Sequence, residues 1–177
     1  QLRDRAKAVN FGIIYGISGF GLAKGVGVSR KEAEAFIDAY FARYQGVKTY
    51  LERVIAQARE DGYVTTIMNR RRYLPDLKAR NFQRRSFAER MARNTPIQGS
   101  AADLIKLAMV RVEARLRKEK LPAALLLQVH DELLLEVDRA ALPEAAKILR
   151  EEMEGVFALR VPLAVDVKTG ENWGDLA

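Results

Sequence analysis

The spacing of apolar residues changes along this chain, and that change limits the fold more than any other feature. Up to Gly62, apolar side chains recur every three or four positions, as they do on one face of an amphipathic helix. From Tyr63 they alternate with polar ones, which predicts a hairpin, and the apolar runs Ala123–Val129 and Glu132–Val137 predict a second hairpin. Helices interrupted by two hairpins predict an α+β fold.

Smaller signals divide the helical regions. The glycines from Gly16 onward predict a loop, and Ser29 with Glu32 predicts a capping box at the start of the next helix. Ser100 is predicted to open a long helix after a break at Pro96. The predicted helices and final strand are Arg3–Tyr15, Ser29 to Gly46, Val47 to Gly62, Gln83–Asn94, a helix from Ser100, a helix from Pro143 and the strand Val161–Val167.

Composition excludes several classes of protein. Of the 177 residues, 49% are hydrophobic and 30% are charged, which is typical of a globular protein and not of a disordered tail or a fibre. There is no cysteine, so a disulfide framework, a thiol nucleophile and a zinc ribbon are excluded. No apolar run is long enough to span a bilayer, and we expect a cytoplasmic protein without a membrane partner. A chain that opens at Gln1 in a helical pattern also predicts a piece of a longer protein.

The net charge of +7 comes entirely from one segment, Asn69–Arg93, which we call the basic segment. It holds nine Lys and Arg residues against two acidic ones, Asp76 and Glu89, whereas bases and acids are equal in number outside it. An arginine-rich cluster suits a phosphate-bearing ligand because guanidinium groups pair with phosphate oxygens. A solvated surface face is the alternative, and charge alone does not separate the two.

Four side chains recur every four residues in the first predicted helix: Arg3, Lys7, Phe11 and Tyr15. This spacing places two cations and then two aromatic rings along one side of the helix. The cations suit a triphosphate and the rings suit a planar base or sugar. An amphipathic helix with two core aromatics and two solvated bases fits the same spacing.

The second predicted hairpin has a polar tip, His130-Asp131-Glu132. Strands on both sides hold such a carboxylate rigidly, and rigid carboxylates suit a hard cation such as Mg²⁺. Two-metal phosphoryl chemistry needs a further carboxylate from another strand. An ordinary polar turn is the alternative.

A third pattern lies in and after the basic segment. Arg90, Asn94 and Gln98 are spaced by four, with Arg84 and Arg85 upstream. Guanidinium and amide groups meet base edges and phosphates along a duplex groove, so the pattern suits a DNA ligand. A solvated helix surface is again the alternative.

Together these passages resemble the DNA polymerase I family, also called family A. Arg3–Gly16 is similar to the fingers-helix motif of that family, Thr95–Asp103 to a palm-helix motif, and Gln128–Glu132 to the palm carboxylate motif. The order of these three motifs along the chain and the spacing between them also agree with the family. The resemblance extends over essentially the whole chain, including Arg70–Asp76 and the ending Gly170–Trp173.

The resemblance implies part of a right-hand polymerase fold, with a helical fingers portion at residues 1–62 and the C-terminal part of the palm at residues 63–177. It implies that Arg3 and Lys7 contact an incoming triphosphate, Lys7 with a catalytic role, and that Phe11 and Tyr15 pack against the nucleotide and the template position. The DNA contacts that it implies are Arg84, Arg85, Arg90, Asn94, Gln98 and His130.

For the chemistry, the resemblance implies that Asp131 is a catalytic Mg²⁺ ligand, one of two ions being held in the complete enzyme, and that Glu132 supports the same site. The family's reaction joins a primer 3′-hydroxyl to a deoxynucleoside triphosphate and releases pyrophosphate. The other catalytic aspartate of the family lies upstream of the fingers helix. We therefore expect this chain alone to carry half a metal site, and to need the upstream palm and thumb segments as partners.

The resemblance further implies a role in replication or repair at the nucleoid, with primer-template DNA and deoxynucleoside triphosphates as partners. A DNA-binding fragment without catalysis is the alternative function. A single-subunit RNA polymerase is disfavoured, because Asn10-Phe11-Gly12 and Glu132 resemble the DNA enzymes.

Overall fold

The computed structural model describes residues 2–176, apart from the side chains of Leu2, Asp4, Arg5 and Ala8. The chain divides after Ser100 into two compact units. Four helices open the first unit: α1 (Leu2–Ile14), α2 (Gly19–Val26), α3 (Arg30–Arg43) and α4 (Gln45–Asp61). The strands β1 (Tyr63–Thr65) and β2 (Arg71–Tyr73) follow, then a short 3₁₀ turn, Pro75–Lys78, and helix α5 (Phe82–Asn94).

The capping box at Ser29 is confirmed. The Ser29 hydroxyl oxygen accepts a hydrogen bond from the Glu32 backbone N–H, and the Glu32 carboxylate accepts one from the Ser29 N–H. These contacts satisfy backbone donors that the first turn of α3 leaves without a partner. They also hold the Glu32 carboxyl in its ionised form, so its pKa lies below the usual 4.5.

The prediction of a loop after Gly16 is wrong over residues 19–26, which form α2. Ser18 caps this helix by accepting from the Gly21 N–H, and Gly27 ends it with φ of +73°. Three glycines lower helix propensity but do not forbid a helix, and burial of Leu22 favours this one. Gly46 likewise does not end α3; it lies in the first turn of α4, which begins one residue after the cap at Tyr44.

The first hairpin is confirmed, and it closes the core of the first unit. Strands β1 and β2 are antiparallel, with Tyr63 opposite Tyr73. The core is a cluster of seven buried residues: Ile55, Ala58, Val64, Leu74, Leu77, Ala88 and Ala92. Since these come from α4, the hairpin region and α5, burial of their apolar surface fixes α5, and with it the basic segment, against α4.

The predicted break at Pro96 is a helical turn. Thr95–Gly99 is a π-helical turn that joins α5 directly to α6 (Ser100–Lys118). The wider turn accommodates proline, which has no N–H to donate. Ser100 consequently does not cap a helix start; its hydroxyl donates to the Pro96 carbonyl oxygen and accepts from the Ile67 N–H at 2.8 Å.

The second unit contains the predicted long hairpin with the predicted bounds, β3 (Ala123–Val129) and β4 (Glu132–Val137), followed by helix α7 (Leu142–Glu154). The two strands are antiparallel, with Val129 opposite Glu132 at the tip. The pairing passes from Leu125 to Leu127, so Leu126 is a bulge without a partner opposite it.

Val112, Leu116 and Ile148 form the core of the second unit, and residues of both strands pack against them. The strands of the hairpin are less buried than the apolar runs predict: Leu126 and Leu127 are 50% and 48% exposed. The predicted strand Val161–Val167 is wrong, because this segment has no strand structure and pairs with no described strand. A short 3₁₀ turn, Trp173–Leu176, follows it.

Candidate functional site

Helix α1 carries the first group of predicted site residues, and it ends in a well-defined motif. The Gly16 N–H donates to the Ile13 carbonyl oxygen and the Ile17 N–H to the Gly12 carbonyl oxygen, as in a Schellman motif. Gly16 has φ of +78°, a left-handed conformation that glycine adopts without strain. The motif fixes the direction in which the chain leaves the end of α1.

Arg3 and Lys7 are exposed and line an open cavity of about 690 Å³. Asn10 lines the cavity as well, and the other wall is aromatic, formed by Phe36 and Tyr40 of α3 together with Tyr44, which follows α3. Two cations beside aromatic rings suit a ligand that carries both phosphate and a planar group.

Phe11 and Tyr15 do not line this cavity. Their rings stack on each other, with centroids 6.3 Å apart and an angle of 16° between the planes. Phe11 remains 47% exposed, so the pair offers an aromatic surface beside the cations. The structure thus divides the four predicted residues of α1 into a cationic pair in a cavity and an aromatic pair next to it.

The aromatic wall of the cavity was missed by sequence reasoning. Nothing local to residues 36–44 indicates a contact of Phe36, Tyr40 and Tyr44 with α1. Tyr40 is partly buried, and this desolvation, with Tyr44 nearby, raises the pKa of its hydroxyl above the usual 10. The hydroxyl therefore stays protonated at neutral pH and is available as a hydrogen-bond donor.

Several side chains of the basic segment are held by contacts within the protein. Arg84 donates to the Asp76 carboxylate at 2.7 Å, and Arg85 donates to the Ala79 carbonyl oxygen at 3.0 Å. Glu89 pairs with Arg59 of α4 at 2.5 Å. Both acids of the basic segment are therefore used in ion pairs, and the Arg84 side chain remains 67% exposed.

Arg90, Asn94 and Gln98 lie on one uninterrupted helical run because α5 continues through the π turn. The Arg90 side chain is exposed, with its guanidinium carbon 5.7 Å from the centre of the Phe87 ring. The Gln98 side chain is also exposed, whereas the Asn94 Oδ1 is buried without a hydrogen-bond partner among the described residues.

The tip of the β3–β4 hairpin presents the predicted carboxylates to solvent. His130 and Asp131 form a two-residue turn, and His130, Asp131 and Glu132 are exposed. His130 has φ of +54°, a conformation that is uncommon outside glycine and that clusters at functional sites. The Gln128 side-chain amide donates to the His130 carbonyl oxygen and so braces the turn.

Asp131 and Glu132 line a second cavity, of about 710 Å³, inside the second unit. Asp166, Lys168 and Trp173 line it as well. Sequence reasoning assigned none of these three to a site. Within residues 2–176 as described, no three His, Cys, Asp or Glu side chains come together as a metal site would require.

The family model described as DNA polymerase family A matches residues 1–175 of this chain. The chain belongs to DNA polymerase family A. The resemblance inferred from three motifs is thus confirmed. Among the described residues, no helix is long and apolar enough to cross a membrane.

Curated family A relatives agree over almost the whole chain. It is 56% identical to DNA polymerase I of Bacillus caldotenax over 175 residues, 99% of this chain and 20% of the relative. It is 55% identical to DNA polymerase I of Bacillus subtilis (strain 168) over 174 residues, 98% of this chain and 20% of the relative. The chain therefore spans about a fifth of these family A enzymes.

A solved family A structure has the same fold. It is the polymerase domain of Pol1 from M. smegmatis in complex with a DNA primer-template and dNTP. The match has a TM-score of 0.95 at 47% identity, and covers 99% of this chain and 31% of that one. The predicted α+β class, as part of a polymerase fold, is confirmed.

Proposed function

We propose that this chain forms the nucleotide-binding helix and one metal-binding carboxylate of a template-directed DNA polymerase. The observation that carries the proposal is the pair of cations, Arg3 and Lys7, on the wall of an open cavity beside aromatic rings. The exposed carboxylate of Asp131 on a braced hairpin tip supplies the second part. In this proposal, the first unit contributes the cations and the second unit contributes the carboxylate that phosphoryl transfer requires.

The proposed division into domains places residues 1–62 in the fingers and residues 63–177 in the C-terminal part of the palm. The change of pattern at Gly62 supports this boundary, since α4 ends there and β1 begins. This boundary separates two proposed functions and does not separate two cores, because the hairpin region and α5 share a core with α4.

In this proposal, Lys7 and Arg3 bind the triphosphate of the incoming nucleotide. Ammonium and guanidinium groups make charge-assisted hydrogen bonds to phosphate oxygens, and a contact that strengthens as charge develops lowers the barrier of the reaction. The exposed stack of Phe11 and Tyr15 provides a surface for the base and the template position. Tyr15 directly precedes Gly16, so the end of α1 fixes the place of this stack.

Primer-template DNA is the proposed ligand of the α5 region. Arg84, Arg85 and Arg90 supply charge to phosphates, and Gln98 and Asn94 supply amide groups that hold the strands near the growing end. His130 is proposed to contact the primer from the hairpin tip. We infer that DNA binding by these groups places the protein at the nucleoid in the cytoplasm.

Asp131 is the residue proposed to hold Mg²⁺, with Glu132 in support. Its exposed carboxylate fits the preference of Mg²⁺ for one or two protein carboxylates together with phosphate oxygens and water. When bound, Mg²⁺ lowers the pKa of the primer hydroxyl and neutralises charge on the phosphates. A further aspartate from the upstream palm is proposed to complete a site for two ions.

The proposed reaction is a displacement at the α-phosphorus. The oxygen of the primer 3′-hydroxyl bonds to that phosphorus as its proton is released, and the bond to the bridging oxygen of the β-phosphate breaks, so pyrophosphate leaves. Lys7 would hold the leaving phosphates in line, and the α5 residues would hold the primer end.

Primer extension with Mg²⁺ tests the proposal. The 177 residues alone should not extend a primer, whereas the same residues joined to the upstream palm and thumb should. Asp131→Ala in the joined protein is the control for extension by a contaminating polymerase. DNA binding without extension in the joined protein would favour the alternative, a DNA-binding fragment without catalysis, and robust extension by the 177 residues alone would overturn the half-site assignment.

A further inference from the structure

The basic segment contains one arginine, Arg93, that the proposed function leaves without a role. Its guanidinium lies against the end of α1: a Cβ built on Gly16 would be 2.7 Å from the Arg93 Nη1 and 3.5 Å from its Cδ. The same Cβ would lie 3.7 Å from the Cγ of Arg90. Two arginine side chains of α5 therefore pack over the bare backbone of a single glycine.

The chemistry of this contact is favourable for a cation. The carbonyl groups at the C-terminal end of a helix carry partial negative charge, which attracts a nearby guanidinium. The Arg93 Nε is buried and has no hydrogen-bond partner among the described residues. The negative end of α1 offsets part of what the desolvated Nε loses in hydration.

We propose that Arg93 is a positioning residue of the nucleotide site, seating the C-terminal end of α1 on α5 through Gly16. The inference rests on the proposed function, in which α1 binds the nucleotide and α5 binds DNA. Tyr15 is the residue before Gly16, and Arg90 is the other arginine at this glycine. The contact thus sets the place of the aromatic pair of α1 relative to a DNA-binding side chain.

Three variants of Arg93 separate charge from volume, measured in a complete family A polymerase that carries these residues. Arg93→Met keeps the length and loses the charge, so it should raise the KM for the incoming nucleotide by about two- to fivefold, the range for a cation at a helix C-terminus. Arg93→Lys, which keeps the charge, should have a KM close to that of the unchanged protein. Arg93→Ala should raise the KM more than Arg93→Met does. The affinity for primer-template DNA should change less than the nucleotide KM in all three.

Gly16→Ala tests the other side of the contact, and the chain offers a matched control. Gly27 has nearly the same φ, +73°, but no atom lies within 4 Å of a Cβ built there. Gly27→Ala therefore introduces the backbone strain alone, whereas Gly16→Ala adds a collision with Arg93. Gly16→Ala should lower kcat/KM for the nucleotide more than Gly27→Ala, and adding Arg93→Ala to Gly16→Ala should recover part of that loss.

The outcomes distinguish failure of the proposed function of α1 from failure of the positioning role of Arg93. If Lys7→Ala leaves the nucleotide KM unchanged, the proposed function of α1 fails. If Lys7→Ala raises the KM but Arg93→Met does not, or if Gly16→Ala and Gly27→Ala have equal effects, only the positioning role of Arg93 is overturned. A fall in DNA affinity and in its salt dependence in Arg93→Met, with an unchanged nucleotide KM, would instead show direct DNA contact and would also overturn it. Should Gly16→Ala fail to fold, the Arg93 series decides.

Discussion

Arg84 donates a hydrogen bond to Asp76 at 2.7 Å, so an arginine proposed to bind DNA is already held by a carboxylate of the same segment. Exposed ion pairs of this kind contribute little to stability, since solvent and salt screen them. The pair instead lowers the positive charge that Arg84 presents to a ligand. A phosphate that binds Arg84 must compete with Asp76.

This competition can be measured through salt. The affinity for duplex DNA should fall by about 0.9 log units per log unit of salt for each phosphate neutralised. Arg84→Ala with Arg85→Ala should flatten that slope, and Asp76→Asn should strengthen binding at low salt because it frees Arg84. Fluorescence anisotropy across a salt series gives both quantities. A slope that none of these changes alters would mean that the basic segment is only a solvated face.

A second prediction concerns Asp131. In a complete polymerase, Asp131→Ala should reduce extension by at least about a hundredfold, because transition-state charge stabilisation of several kcal/mol is lost. Primer-template affinity and the melting temperature should stay nearly constant, since the side chain is exposed. Glu136→Ala is the matched control, an exposed carboxylate on the same hairpin. Unfolding in Asp131→Ala would favour the ordinary polar turn.

A third prediction separates the two cationic sites of the first unit. Lys7→Ala should raise the KM for the incoming nucleotide and leave the affinity for DNA nearly unchanged. Arg90→Ala should do the reverse, raising DNA dissociation and shortening each run of synthesis. Steady-state kinetics and DNA binding measured on both variants give a two-by-two comparison. Equal effects of both substitutions on both quantities would reject the assignment.

A fourth prediction follows from the capping box. Hydrogen bonds from Ser29 lower the pKa of Glu32 below 4.5, so the folded state favours the carboxylate. Its stabilising contribution is therefore present above the unfolded pKa and is lost as pH falls through the folded pKa. Ser29→Ala should lower the melting temperature at pH 7 more than at pH 3. An equal loss at the two pH values would show that the Glu32 carboxylate does not act through Ser29.

Much of the fold could be predicted because its signals are local. Gly62 ends α4, Ser29 caps α3, and apolar runs mark β3 and β4, each within a few positions. Helix α2 was missed because its three glycines resemble a loop, and only burial of Leu22 decides otherwise.

The site was predicted less completely, for a physical reason. Motif spacing predicted Lys7 and Asp131, whose proposed roles depend on their own side chains. The residues that shape their surroundings come from distant parts of the chain: Tyr40 faces α1 across a cavity, and Asp166 lines the cavity of the hairpin tip. Such contacts depend on how helices and segments pack, which no local pattern records.

The bulge at Leu126 has a consequence for how this hairpin tolerates changes of length. Leu125 pairs with Leu135 and Leu127 with Leu134, so loss of Leu126 would leave every pair on either side of it intact. Loss of a residue between Leu127 and the turn would shift the pairing by one and transfer side chains to the opposite face of the sheet. Leu126 is therefore the position between Leu125 and the turn at which a deletion keeps the pair Val129–Glu132, next to Asp131, in its present register.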